Sequence, residues 1–66
     1  MRVIVNGESR EVTGGTTVEE LLRELEVRAA LVAVEVNGTV IPRRQRTETA
    51  VQEGDRIEIV TFVGGG

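Results

Sequence analysis

Two Asn-Gly dipeptides, Asn6-Gly7 and Asn37-Gly38, constrain the fold of this chain more than any other feature. Each directly follows a short run of alternating, mostly β-branched residues. Asn-Gly is the strongest short-range signal for a β-hairpin, because both central residues of a type I′ turn need a positive φ. The sequence therefore predicts two hairpins, one at the start of the chain and one in its second half.

Alternation of side chains predicts the strands themselves. The return strand of the first hairpin is polar and is expected at a sheet edge. A turn at Glu53-Gly54-Asp55 precedes a last strand, in which Ile57 and Ile59 share the face that joins the core. The strands are predicted at residues 1–5, 8–12, 32–36, 39–41 and 56–63.

One helix is predicted between the two hairpins. Thr17 and Glu20 have the spacing of a capping box, in which each side chain bonds the backbone N–H of the other residue. Apolar residues then recur at i, i+3, i+4 and i+7, which places them on one helical face. This pattern predicts a helix over residues 18–26.

These elements predict an α+β fold in which one helix covers one face of a mixed, four- to five-stranded sheet. The first and last strands are expected to pair in parallel at the centre. The uncovered face would then carry Ile4, Val60 and Phe62. Three large apolar side chains on such a face indicate a surface for a protein partner.

Composition excludes several kinds of site. The chain has no Cys and no His, which argues against a structural zinc site and against nucleophiles built on these residues. A net charge of −3 and a single aromatic residue argue against nucleic acid as a partner. No apolar run approaches the ~20 residues of a membrane span. Without Cys or an export signal, a cytoplasmic location is expected.

The last residues, Gly64, Gly65 and Gly66, have no side chains to pack. We predict a domain at residues 1–63 and a flexible tail at residues 64–66. The α-carboxylate of Gly66 is the one reactive group that such a tail carries. The alternative is a frayed terminus without a function.

Residues 43–46, Arg-Arg-Gln-Arg, form the one basic cluster of the chain. Two interpretations remain open from the sequence. The cluster is either a solvated loop or a contact for an acidic partner surface.

Taken together, these motifs resemble the ThiS family of sulfur carriers for thiamin thiazole synthesis, over essentially the whole chain. The resemblance implies a ubiquitin-like β-grasp fold. The motifs that carry it are Thr17-Val18-Glu19-Glu20-Leu21-Leu22, Asn37-Gly38, Val40-Ile41-Pro42, Glu53-Gly54-Asp55 and Ile59-Val60-Thr61-Phe62-Val63-Gly64-Gly65-Gly66.

The resemblance also implies a chemistry at Gly66. An adenylating enzyme would use ATP and magnesium to activate its carboxylate, and a sulfur relay fed by a cysteine desulfurase would convert it to a thiocarboxylate. Thiazole synthase would then take the sulfur. The carrier would be a co-substrate rather than an enzyme and would bind no cofactor itself. Its docking residues would be Ile4, Val60, Phe62 and Val63, with Gly64 and Gly65 in the tail.

Three alternatives stay open. The small subunit of molybdopterin synthase and a ubiquitin-like protein modifier use the same C-terminal glycine chemistry. A β-grasp binding module would use no tail chemistry at all. In each case the isolated chain is expected to be a monomer.

Overall fold

A five-stranded mixed sheet with one α-helix across one face makes up the computed structural model, which describes residues 1–62. The strand order is β2-β1-β5-β3-β4. This two-layer α+β arrangement confirms the predicted architecture. The elements are β1 (Arg2–Val5), β2 (Glu8–Glu11), α1 (Val18–Glu24), a first 3₁₀ turn (Ala29–Leu31), β3 (Val32–Val36), β4 (Thr39–Val40), a second 3₁₀ turn (Arg43–Gln45) and β5 (Arg56–Thr61).

Both Asn-Gly dipeptides form the predicted hairpin turns. The φ angles are 48° at Asn6 and 85° at Gly7, and 53° at Asn37 and 86° at Gly38. Positive φ at both central residues is the signature of a type I′ turn, whose twist matches that of the flanking strands. The turns therefore set the registers of the β1–β2 and β3–β4 pairs.

Strand β5 occupies the centre of the sheet. It pairs in parallel with β1 through Ile4–Arg56 and Val5–Ile57. Residues Ile57 to Thr61 of β5 pair with β3 in antiparallel fashion, over the whole length of β3. The predicted central pairing of the first and last strands is confirmed.

Helix α1 begins with the predicted capping box. The Glu20 backbone N–H donates to Thr17 Oγ1 over 3.1 Å, and the Thr17 N–H donates to Glu20 Oε1 over 2.9 Å. The helix ends at Glu24, earlier than predicted, because Glu26 adopts a left-handed conformation with a φ of 59°. Leu25, the last residue of the predicted apolar stripe, still packs partly against the core.

The core lies between α1 and the inner face of the sheet. Alternate residues of β1, β3 and β5 meet the apolar stripe of the helix, as their spacing predicted. The buried apolar side chains are Val3, Val5, Val12, Val18, Leu21, Leu22, Val32, Val34, Val51 and Ile57.

Arg46 is the main departure from the sequence-based predictions. Its side chain is buried, with a relative exposure of 3%, whereas Arg43 and Arg44 are exposed. The basic cluster is therefore divided between surface and interior. Neither the solvated-loop nor the partner-contact interpretation describes Arg46.

Candidate docking face and tail exit

The end of β5 determines where the glycine tail leaves the domain. Thr61 lies opposite Val32, and the Phe62 N–H donates to the Leu31 carbonyl over 2.8 Å. The end of β5, the central strand, is thus hydrogen-bonded to the segment at the start of β3 as far as Phe62, the last described residue. The predicted tail, Gly64 to Gly66, and the docking residue Val63 lie outside the described residues.

Two of the predicted docking residues lie beside this exit. Val60 and Phe62 are 54% and 58% exposed, and they alternate along the strand with the core-facing Ile57 and Ile59. Because side chains alternate between the two faces of a strand, Val60 and Phe62 share the face that the helix leaves uncovered. The structure brings these two residues together.

Ile4, the third residue of the predicted surface, lies further away. It is half-buried and level with Arg56, which has the same parity on β5 as Val60. Ile4 therefore shares the outer face but is four residues along the sheet from Val60, roughly 13 Å. Arg56 and Glu58 precede Val60 on the same face of β5, so Ile4 is not next to the apolar residues at the tail exit.

Leu31 is exposed next to the end of β5, and sequence reasoning missed it. It is 44% exposed and its carbonyl accepts the bond from Phe62. The sequence placed Leu31 in a connection, where no alternation assigns a face. We call Leu31, Val60 and Phe62 the exit patch.

A second missed residue, Val40, is exposed on β4 at the opposite edge of the same face. It lies opposite Glu35, which in turn lies opposite Glu58 on β5. Val40 therefore lies in one row across the sheet with these two acidic side chains, two strands away from β5. The sequence analysis did not single out Val40, because its position opposite Glu35 depends on the register of the β3–β4 hairpin.

Residues 1–62 contain no group of acidic side chains placed to hold a metal ion. No helix in this part of the chain is long and apolar enough to cross a membrane. The sequence has no Cys or His to act as a nucleophile or a base at neutral pH. What this arrangement offers chemically is an apolar patch next to a strand that leads into a glycine tail.

Comparison with known proteins agrees with this geometry. The family model described as ThiS family matches residues 3–66. The sulfur carrier protein ThiS of Escherichia coli (strain K12) is 35% identical over 66 residues, which cover 100% of both chains. The crystal structure of the thiamine biosynthesis protein ThiS from Geobacter metallireducens is 40% identical and superposes with a TM-score of 0.87 over 100% of both chains. The fold is thus that of the ubiquitin-like β-grasp proteins.

Two longer relatives are similar to this chain over one segment of their length. A thiazole synthase of Paramagnetospirillum magneticum is 46% identical over all 66 residues of this chain, which span 20% of that protein. A thiazole synthase of Magnetococcus marinus is 42% identical over the same share of its length. The chain therefore spans about a fifth of the length of these two relatives.

Proposed function

This chain belongs to the ThiS family, and we propose on that premise that it is a sulfur carrier in thiamine biosynthesis. The observation that carries the proposal is the match along the whole chain to a sulfur carrier protein of equal length. The exit patch and the central position of β5 support it, since they would present the tail next to a surface for a partner.

The proposed chemistry takes place at the Gly66 carboxylate. A carboxylate oxygen attacks the α-phosphorus of ATP, which the partner enzyme holds with magnesium, and pyrophosphate leaves. The outer sulfur of a persulfide on the relay protein then attacks the acyl carbon and AMP leaves, which gives an acyl disulfide. A second thiolate attacks the relay protein's sulfur in this disulfide, forms a new disulfide with it and displaces the thiocarboxylate of Gly66. A thiol reductant then returns the relay protein to its starting state.

The role of this chain in that sequence is to present the carboxylate. A carboxylate carbon is a poor electrophile until AMP provides a good leaving group, and the partner supplies the catalytic groups for that step. Residues without side chains allow close backbone approach inside a narrow active-site channel, which explains the use of Gly64 and Gly65. No catalytic side chain of the carrier is needed.

Three partners follow from the proposal. An adenylating enzyme would activate Gly66, a cysteine desulfurase would feed the sulfur relay, and thiazole synthase would receive the sulfur. The two thiazole synthases described above support the last partner, since part of each resembles this chain. These partners would meet the carrier in the cytoplasm. None of the relatives described here is a molybdopterin synthase subunit or a protein modifier.

Intact-mass spectrometry tests the proposal. The purified chain is incubated with ATP, magnesium, a sulfur source and the adenylating enzyme of the same organism. We expect a mass gain equal to one oxygen replaced by one sulfur, absent from a variant that lacks Gly66. An unchanged mass, with the same enzyme active on the Escherichia coli carrier, would contradict the proposal.

A further inference from the structure

Arg46 has a buried side chain with an unusual set of partners. Its Nη1 donates to the Ala29 carbonyl over 2.9 Å, and its Nη2 donates to the Val32 carbonyl over 2.7 Å. Its Nε is buried and has no hydrogen-bond partner within residues 1–62. The guanidinium therefore joins the carbonyl of the first residue of the 3₁₀ turn to that of the first residue of β3.

Among residues 1–62, no acidic side chain forms an ion pair with Arg46. The ion pairs in the described part of the chain are those of the Met1 amine and Arg2 with Glu11. Burying a guanidinium is costly unless its donors are bonded, and an apolar side chain of similar size commonly serves stability as well. Stability alone is thus a weak explanation for arginine here, and the two directional bonds are its distinctive contribution.

Those bonds hold the segment to which the end of β5 is paired. Val32 lies opposite Thr61, and the Leu31 carbonyl between the two bonded residues accepts the Phe62 N–H. The Arg46 carbonyl also accepts the Glu19 N–H over 3.1 Å, which ties the same residue to the first turn of α1. Arg46 thus connects the helix start to the strand that supports the tail exit.

We infer that Arg46 is a positioning residue that holds the end of β5 at Phe62, from which the chain continues into the tail. It acts through the Ala29 and Val32 carbonyls, which hold Leu31 in place for its bond with Phe62. The consequence for Gly66 rests on the proposed function, whereas the effect on Phe62 does not.

Amide hydrogen exchange, measured residue by residue by NMR, tests the inference on the full chain. Arg46→Met keeps the approximate length and removes both donors. Arg23→Met, an exposed position on α1, is the matched control. We expect the Phe62 amide to exchange about tenfold faster in Arg46→Met, the loss of roughly one charged hydrogen bond. Amides in the middle of the β3–β5 pair, such as Glu58, should change less.

Either of two results would overturn the inference. One is an unchanged Phe62 exchange rate in Arg46→Met. The other is an equal acceleration at Phe62 and at Glu58, which would mean a general loss of stability. If Arg46→Met does not fold, Arg46→Lys replaces it, because lysine keeps the charge and lacks the planar pair of N–H groups that bonds both carbonyls. A local acceleration at Phe62 is again expected, and its absence overturns the inference.

Steady-state kinetics of thiocarboxylate formation extend the test to the tail. If the end of β5 is no longer held at Phe62, it must be ordered when the carrier binds, which weakens binding without altering the bound state. We expect Arg46→Met to raise the KM for the carrier about tenfold at an unchanged kcat, and Arg23→Met to leave both unchanged. An unmodified wild-type chain would refute the proposed function, while the exchange data would still decide the role of Arg46.

Discussion

Glu35 and Glu58 lie directly opposite each other on β3 and β5, in the middle of the uncovered face of the sheet. Neither forms an ion pair with a basic group in residues 1–62. Like charges at directly opposed positions destabilise a sheet. The pair lies in one row across the sheet with Val40, and Glu58 lies two residues before Val60 of the exit patch on β5.

Removing one of these charges should stabilise the domain. We expect Glu58→Gln to raise the free energy of unfolding by about 0.5 kcal/mol, because it relieves the repulsion across the two strands. Urea denaturation at low salt measures the change. Glu8→Gln is the control, since Glu8 lies opposite Val5 and loses the same charge. The gain should shrink in 1 M salt, where charges are screened. An equal gain in both variants would mean that only the net charge matters.

The capping box should contribute measurably to stability. Thr17→Ala removes the oxygen that accepts the Glu20 N–H. We expect a loss of about 1 kcal/mol in the free energy of unfolding, the usual cost of a lost N-cap. Thr47→Ala, at an exposed position, should change the stability little. Equal losses in the two variants would contradict a specific role of the cap.

Gly7 should resist substitution because of its backbone conformation alone. A Cβ at Gly7 would meet no atom within 4 Å, but the φ of +85° is one that residues with side chains rarely adopt. We expect Gly7→Ala to lower the free energy of unfolding by about 1 kcal/mol. Gly14 also has open space around it and no positive φ, so Gly14→Ala should be neutral or slightly stabilising. Thermal unfolding of the two variants measures the change in stability of each. An equal change in Gly7→Ala and Gly14→Ala would exclude backbone strain at Gly7 as the cause.

Phe62 should matter for partner binding far more than Val40, although each is 58% exposed. Val40 is level with Glu58 and two strands away from β5, whereas Phe62 adjoins the tail. We expect Phe62→Ala to weaken binding to the proposed adenylating partner about tenfold and Val40→Ala to leave it unchanged. Calorimetry gives the affinities, and unfolding curves show whether both variants are folded. A larger loss with Val40→Ala would place the docking surface at the opposite edge of the sheet.

Local interactions explain what could be predicted from the sequence. The hairpin turns depend on the φ preferences of Asn6-Gly7 and Asn37-Gly38, and the helix start depends on two side chains three residues apart. The alternation of Val32 to Val36 predicts a strand and its core face without knowledge of its neighbours.

The tertiary structure decided the contacts between residues that are distant in the sequence. The Asn6 side chain, predicted only as a turn residue, accepts the Ile59 N–H over 2.8 Å and donates to the Ile59 carbonyl over 3.3 Å. It continues the pairing along β5 beyond the end of β1. No local pattern contains this contact, because it joins a turn residue to a strand more than fifty residues away, and the pairing of β1 with β5 brings them together.

Arg46 illustrates the same limit for burial. By itself the sequence determined the turns, the helix start and the strand faces, since each depends on conformational preferences or spacings within a few residues. The burial of Arg46, the opposition of Glu35 and Glu58 and the membership of the exit patch were decided only in the folded structure. A charged side chain is buried or exposed according to whether distant carbonyls come within hydrogen-bond distance, and that depends on how the 3₁₀ turns, the helix and β3 pack together.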